Sequence, residues 1–105
     1  MRLVPLCSGS SGNATLVEAG GLRLLIDAGG TGRRIEALLT EAGAAAAALD
    51  AILLTHEHID HVQGVGVLSR RYGLPVYAAA DCFAALPPSV GGVAPARMRV
   101  FEPVS

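Results

Sequence analysis

All three histidines of this 105-residue chain lie within six consecutive positions, 56–61. The segment Thr55–His61 reads Thr-His-Glu-His-Ile-Asp-His, so one aspartate stands among the histidines. Imidazole and carboxylate groups are ligand types that suit zinc and other first-row metals. The cluster therefore predicts a metal site. Its candidate ligands are His56, His58, Asp60 and His61.

The spacing of these residues constrains the backbone that carries them. His56 and His58 would not share a face of a helix, but in an extended chain their side chains point the same way. Asp60 and His61 are adjacent and can diverge toward a second position. We therefore expect a loop that holds one metal with the first pair and another metal with the second pair. Glu57 is expected to point away as an exposed side chain that binds no metal.

The cluster has two alternative interpretations. The helical zinc-protease signature His-Glu-x-x-His would need a histidine at position 60, where this chain has Asp60, so that signature is excluded. A polar surface loop whose histidines bind nothing is the second alternative.

The run Ala51–Thr55 predicts a strand buried on both faces, with the cluster at its C-terminal end. From His61 the apolar residues recur with helical spacing, and Val76–Ala79 predicts the next strand. This β-α-β order implies parallel pairing with a right-handed crossover. Sites in open α/β sheets lie at the C-terminal ends of strands, which is where the cluster is expected.

The segments before the cluster predict a hairpin followed by a helix. Ala14–Ala19 and Leu22–Asp27 are typical of strands, and the Gly-Gly pair between them is a hairpin signal. Thr31 is a candidate N-cap for a helix with one apolar face. With Met98–Phe101 as a last strand, the predicted fold class is α/β (α+β), one sheet with flanking helices.

The composition limits which binding partners and which cellular location the sequence predicts. The net charge is −1, so no global basic field attracts nucleic acid. The longest apolar stretch is Ala44–Leu49, followed after Asp50 by Ala51–Leu54. It is shorter than the ~20 residues of a membrane span, and we expect no membrane partner. Two cysteines form no disulfide framework and fit a cytoplasmic location.

The segment Thr55–His61 resembles the His-x-His-x-Asp-His signature of the metallo-β-lactamase superfamily. As in that family, an apolar strand precedes it, and Leu25–Gly29 looks like the family's strand that ends in Asp-x-Gly. The segment Ser8–Thr15 is similar to the N-terminal loop of the bacterial YycJ/WalJ-like hydrolases. Two interpretations of Ser8–Asn13 stay open: a plain Gly/Ser turn, or backbone amides that line the mouth of the site and meet an anion.

The resemblance implies a role for each matching residue. His56 and His58 would bind the first of two divalent metal ions, with zinc preferred and manganese or iron as alternatives. Asp60 and His61 would bind the second ion, and Asp60 would also steer the proton of the nucleophile as the catalytic residue. Asp27 matches a position whose carboxylate orients the metal-binding loop, and such carboxylates fix the tautomer of histidine ligands.

The resemblance also implies a reaction, in which a metal-activated hydroxide attacks a phosphodiester bond of a small molecule or a nucleic acid. The family's domain is a longer four-layer αββα sandwich with further ligands downstream, whereas no histidine follows His61 here. Residues 1–105 are therefore expected to be the N-terminal portion of such a domain, with one sheet face uncovered. An apolar content of 51%, with 13 glycines in addition, agrees with that expectation.

The alternative function is a truncated, inactive fragment. It would act at most as a metal-binding or interaction module, pairing through the uncovered sheet face with a partner or with a second copy of itself. Whether the chain is an enzyme on its own is left open by the residues.

Overall fold

The computed structural model describes residues 1–9, 12–87 and 93–101. In these parts of the chain six strands form one sheet in the order β1-β2-β3-β4-β5-β6. The strands are β1 Arg2–Cys7, β2 Ala14–Ala19, β3 Leu22–Ile26, β4 Ala51–Leu53, β5 Val76–Ala79 and β6 Met98–Phe101. The α-helices are α1 Gly32–Glu41, α2 Ile59–Val62, α3 Val65–Tyr72 and α4 Ala80–Ala84. Short 3₁₀ turns cover Ala46–Ala48 and Pro95–Arg97.

The first three strands form an antiparallel meander. β1 pairs with β2, and β2 pairs with β3 in a register that sets Leu16 opposite Leu25. Gly20 and Gly21 connect β2 to β3 with φ values of 56° and 84°. A two-residue hairpin turn with positive φ at both positions favours glycine, so the structure confirms the predicted hairpin.

The last four strands are parallel, with β3 against β4, β4 against β5 and β5 against β6. Because parallel crossovers are right-handed and the strands follow one another in order, the connecting helices belong on one face. The alternating side chains of that face, and the helices packed on it, form the core. Its largest fully buried side chains include Leu16, Leu25, Ile35, Leu39, Ile52, Leu68, Val65 and Val76.

The helix after β3 begins as predicted, and the helix after β4 does not. Thr31 is the N-cap of α1, and its side chain accepts a hydrogen bond from the Arg34 amide at 3.2 Å. The helix expected from His61 onward already begins at Ile59. Asp60 and His61 therefore lie in a helical turn rather than in a loop.

Gly64 explains why α2 and α3 are separate helices. Its amide donates to the Ala28 carbonyl at 2.8 Å, outside the helical pattern. A Cβ atom at position 64 would lie 2.6 Å from the Gly30 carbonyl oxygen. The chain is therefore pressed against the loop that follows β3, and this contact interrupts the helix.

The opposite face of the sheet is apolar and partly open. Leu24, Leu53 and Tyr77 are half-buried there, and Leu22 is 47% exposed. Together with Asp50 and Ala51 these side chains line a shallow hollow of about 300 Å³. Among the described residues, no helix has the length and apolar character needed to cross a bilayer.

The end of the sheet away from the histidines carries a small charge cluster. Glu18 lies 2.6 Å from Arg2 Nε and 2.8 Å from Arg23 Nε. The hydrogen bond from Arg23, followed by the charge of Arg2, holds the pKa of the Glu18 carboxyl below its usual value. This exposed network ties β1, β2 and β3 together and takes no part in the histidine cluster.

We predict that Leu25→Ala lowers the free energy of unfolding by about 2–5 kcal/mol, because it empties a fully buried position of the core. Leu22→Ala, the same substitution at an exposed position of the same strand, should cost about 0.5 kcal/mol or less. Urea unfolding followed by circular dichroism measures both values. Equal losses for the two variants would contradict the assignment of the core to the helix-covered face.

Candidate metal centre

The candidate site lies at the edge of the sheet where β3 and β4 end. Leu25 pairs with Ile52 and Ile26 with Leu53, so the two strands end side by side. Asp27 follows β3 directly, and its amide donates to the Leu53 carbonyl at 2.7 Å. The histidine segment follows β4, so parallel pairing places it beside Asp27.

Asp27 is a buried carboxylate, 5% exposed, in a left-handed backbone conformation with φ 62°. A buried carboxylate is unfavourable unless it is hydrogen-bonded. Its Oδ1 accepts from the Thr55 amide at 2.8 Å. Its Oδ2 accepts from the Thr55 hydroxyl at 2.5 Å and lies 2.8 Å from His61 Nδ1. Asp27 thus joins β3, the end of β4 and helix α2.

These contacts fix the tautomers of two histidines. Because an ionised carboxylate only accepts hydrogen bonds, the neutral His61 ring carries its proton on Nδ1 and leaves the Nε2 lone pair free. The Thr55 hydroxyl has one hydrogen and gives it to Asp27, so it accepts from His56 Nδ1, which lies 3.0 Å away. In both neutral rings Nε2 is therefore the nitrogen that carries no proton.

The two predicted ligand pairs differ in the distance between the two side chains of each pair. Asp60 Oδ2 lies 3.8 Å from His61 Nε2, which is less than twice the ~2.0–2.1 Å of a zinc bond to oxygen or nitrogen. The rings of His56 and His58 are stacked with 6.2 Å between centroids, and those of His56 and His61 are 4.6 Å apart. Within the described residues, no three His, Cys, Asp or Glu side chains form a single metal-binding group. Asp60 and His61 therefore have the spacing of a ligand pair, whereas the pairing of His56 with His58 stays a prediction.

His58 and Glu57 are arranged differently from the rest of the site. The His58 side chain is 70% exposed, and its Nε2 lies 3.9 Å from Glu57 Oε1. The Glu57 side chain is 42% exposed, as expected, but its carboxylate lies beside the His58 ring and does not point away from it. The two side chains follow β4 on an irregular segment, where strict alternation of side-chain direction no longer applies.

Cys82 lies close enough to the site for the negative charges of its carboxylates to affect the thiol. Burial raises the pKa of the Cys82 thiol, and the negative charges of Glu57 and Asp27 raise it further. Only the thiolate is a good metal ligand. In the absence of a metal ion, Cys82 is therefore a neutral thiol at neutral pH.

Sequence reasoning did not single out Thr55 or Asn13 as residues of the site. The Thr55 hydroxyl links His56 to Asp27, because it accepts from the ring and donates to the carboxylate. The position of Thr55 directly before the cluster is the only signal of this role in the sequence. The Asn13 side chain donates to Asp60 from the segment Ser8–Asn13. Ser10 and Ser11 lie outside the described residues, so both interpretations of that segment stay open.

Residues 8–102 match the sequence pattern of the metallo-beta-lactamase superfamily. The chain belongs to this superfamily. It is 46% identical over 99 residues to the exodeoxyribonuclease WalJ of Streptococcus pneumoniae, and 41% identical over 97 residues to the exodeoxyribonuclease YycJ of Bacillus anthracis. Each match covers 92% of this chain and 37% of the relative, so the chain spans little more than a third of their length.

A ribonuclease Z of Bradyrhizobium diazoefficiens is 52% identical over 62 residues, covering 58% of this chain and 19% of that enzyme. Among solved structures, the subclass B3 metallo-beta-lactamase MEM-A1 from a soil metagenome library superposes with a TM-score of 0.72 at 26% identity. That superposition covers 95% of this chain and 42% of the lactamase. The superfamily resemblance and the fold class predicted from the sequence are thereby confirmed.

We predict that neutral His56 and His61 carry their protons on Nδ1, because both rings are held through that atom. Long-range ¹H–¹⁵N NMR spectra assign the tautomers, and the exposed His58 serves as the internal reference. In Thr55→Val, neutral His56 should become a mixture of the two tautomers, because its hydrogen-bond partner is removed. His61 should keep its tautomer, since it keeps its own contact with Asp27. A protonated Nε2 on neutral His61 in the unaltered chain would contradict the arrangement.

Proposed function

We propose that this chain carries ligands of the metal centre of a metal-dependent hydrolase that cleaves phosphodiester bonds in nucleic acid. The observation that carries the proposal is the buried Asp27 carboxylate, which turns His61 Nε2 toward the Asp60 carboxylate. Three of the relatives are named as nucleases, which supports a nucleic-acid substrate in preference to a β-lactam. The two free cysteines, Cys7 and Cys82, support a cytoplasmic location.

In this proposal each pair of ligands holds one divalent ion, zinc in preference to manganese or iron. His56 and His58 hold the first ion, and Asp60 and His61 hold the second. Bound metal ions of this kind act as Lewis acids and lower the pKa of water toward neutrality. Asp60, whose side chain is 31% exposed, also directs the proton of the attacking water. Asp27 stays buried and keeps the ligand rings in place.

A second candidate function is a module that binds metal or a partner without catalysis. No group of three ligands exists among the described residues, and the apolar face that includes Leu22, Leu24 and Leu53 is open. Two ligands per ion bind metal weakly compared with the three or four protein ligands of most zinc sites. The open face would then bind a partner or a second copy of the chain.

Native mass spectrometry of the purified chain with added zinc separates these functions, because it reads metals per chain and chains per particle together. We expect bound zinc, and we expect hydrolysis of a chromogenic phosphodiester and of a DNA oligonucleotide once metal is added. His58→Ala should remove most of both signals. Since the His58 side chain is 70% exposed, its loss should leave the fold intact.

Gln63→Ala is the matched control, because Gln63 is an exposed polar residue of the same segment that is not a predicted ligand. Zinc binding without hydrolysis would favour the non-catalytic module. Hydrolysis that survives His58→Ala at full rate would show that the assigned ligands are wrong. A chain that binds no zinc at any oligomeric state would overturn the hydrolase and the metal-binding module, and oligomers that form without zinc would favour a module that binds a second copy of the chain.

A further inference from the structure

We propose that Asn13 is a positioning residue whose side-chain amide orients the Asp60 carboxylate. The inference rests on the proposed function, because it assigns Asn13 a role in the same metal centre. Asn13 and Asp60 are 47 residues apart in the sequence and meet only through the fold. Asn13 touches no ligand ring in the described contacts, so its effect is exerted through Asp60.

The Asn13 amide nitrogen is surrounded by oxygen atoms. Nδ2 lies 2.9 Å from the Gly9 carbonyl oxygen, 3.2 Å from the Asp60 carbonyl oxygen and 3.3 Å from Asp60 Oδ2. On the other side, Asn13 Oδ1 accepts from the Gly9 amide at 3.2 Å. A flipped amide would place its oxygen against three acceptors, so the chemistry of the surroundings determines the orientation of this group.

The backbone around Asn13 is held as firmly as its side chain. The Asn13 amide donates to the Asp60 carbonyl at 2.7 Å, and the Asn13 carbonyl accepts from the Gly29 amide at 2.9 Å. A Cβ atom at Gly29 would lie 1.8 Å from the Asp60 carbonyl oxygen and 2.4 Å from the Asn13 nitrogen. Three backbone segments therefore meet without room for a side chain, and this junction fixes where the Asn13 amide can reach.

The consequence concerns the direction of the Asp60 carboxylate. Asp60 lies in the short helix α2 with a side chain that is 31% exposed, so packing alone does not fix its rotamer. The donor on Asn13 holds Oδ2 at a position 3.8 Å from His61 Nε2. Without that donor the carboxylate is free to turn to solvent, and the pair of ligands loses its common orientation.

The first test measures zinc affinity by competition with a chelating dye. Asn13→Ala should weaken zinc binding about 10–100-fold, which is the usual effect of removing a group that orients a metal ligand. In an Asp60→Ala background most of that loss should disappear, because the carboxylate that Asn13 orients is gone. In a His58→Ala background the full loss should remain, since His58 makes no contact with Asn13 among the described hydrogen bonds.

A purely structural role for Asn13 would weaken zinc binding by the same factor in all three backgrounds, and that result would overturn the proposal. The second test needs no metal and so stands even if the chain binds no zinc. NMR coupling constants across χ1 of Asp60 should indicate one rotamer in the unaltered chain and averaged rotamers in Asn13→Ala. A single, unchanged rotamer in the variant would equally overturn the proposal.

Asn13→Asp provides a variant of the same size in case Asn13→Ala does not fold. The introduced carboxylate still accepts a hydrogen bond from the Gly9 amide. It puts an acceptor oxygen in place of the amide donor that faces Asp60. We expect the Asp60 rotamer to change in this variant while the circular dichroism spectrum is retained. Failure of zinc binding in the unaltered chain would refute the proposed function, whereas an unchanged Asp60 rotamer would refute the role of Asn13.

Discussion

The buried carboxylate of Asp27 is the group on which the rest of the site depends. It accepts hydrogen bonds from the Thr55 amide, the Thr55 hydroxyl and the His61 ring. The backbone amide of Asp27 donates a hydrogen bond to the end of β4. Its left-handed backbone conformation is one that a non-glycine residue adopts at a cost of about 1–3 kcal/mol. These hydrogen bonds offset the strain and the desolvation together, so the conformation persists only while all three segments are in place.

This arrangement requires the parallel pairing of β3 with β4. Because the strands end in register, Asp27 and Thr55 lie side by side without any long connection. The buried leucines and isoleucines beneath them hold the strands in that register. Two glycines then allow the neighbouring loops to close on the site, since Gly29 and Gly64 each lie where a Cβ atom would meet a carbonyl oxygen. The packing of the core therefore also determines how the side chains of the site are oriented.

Local patterns in the sequence correctly predict the hairpin, the N-cap at Thr31 and the strand before the cluster. The ligand candidates stay a prediction. The local patterns do not predict that helix α2 starts at Ile59, because that start depends on how Gly64 docks against the loop after β3. They also do not predict the tautomers of His56 and His61 or the contact of Asn13. Those depend on contacts of Thr55 and His61 with Asp27 and of Asn13 with Asp60, which join residues 28–47 positions apart in the sequence.

The open face of the sheet and the open ligand positions are two aspects of the same arrangement. The helices cover one face, and the side chains of Leu24, Leu53 and Tyr77 keep part of their surface in water on the other. Each ligand pair likewise leaves positions that water or another group must fill. Any partner that both covers the face and supplies ligands would be favoured by metal, and would in turn tighten metal binding, because the two equilibria are linked. With such a partner, zinc affinity and oligomeric state would be properties of one equilibrium.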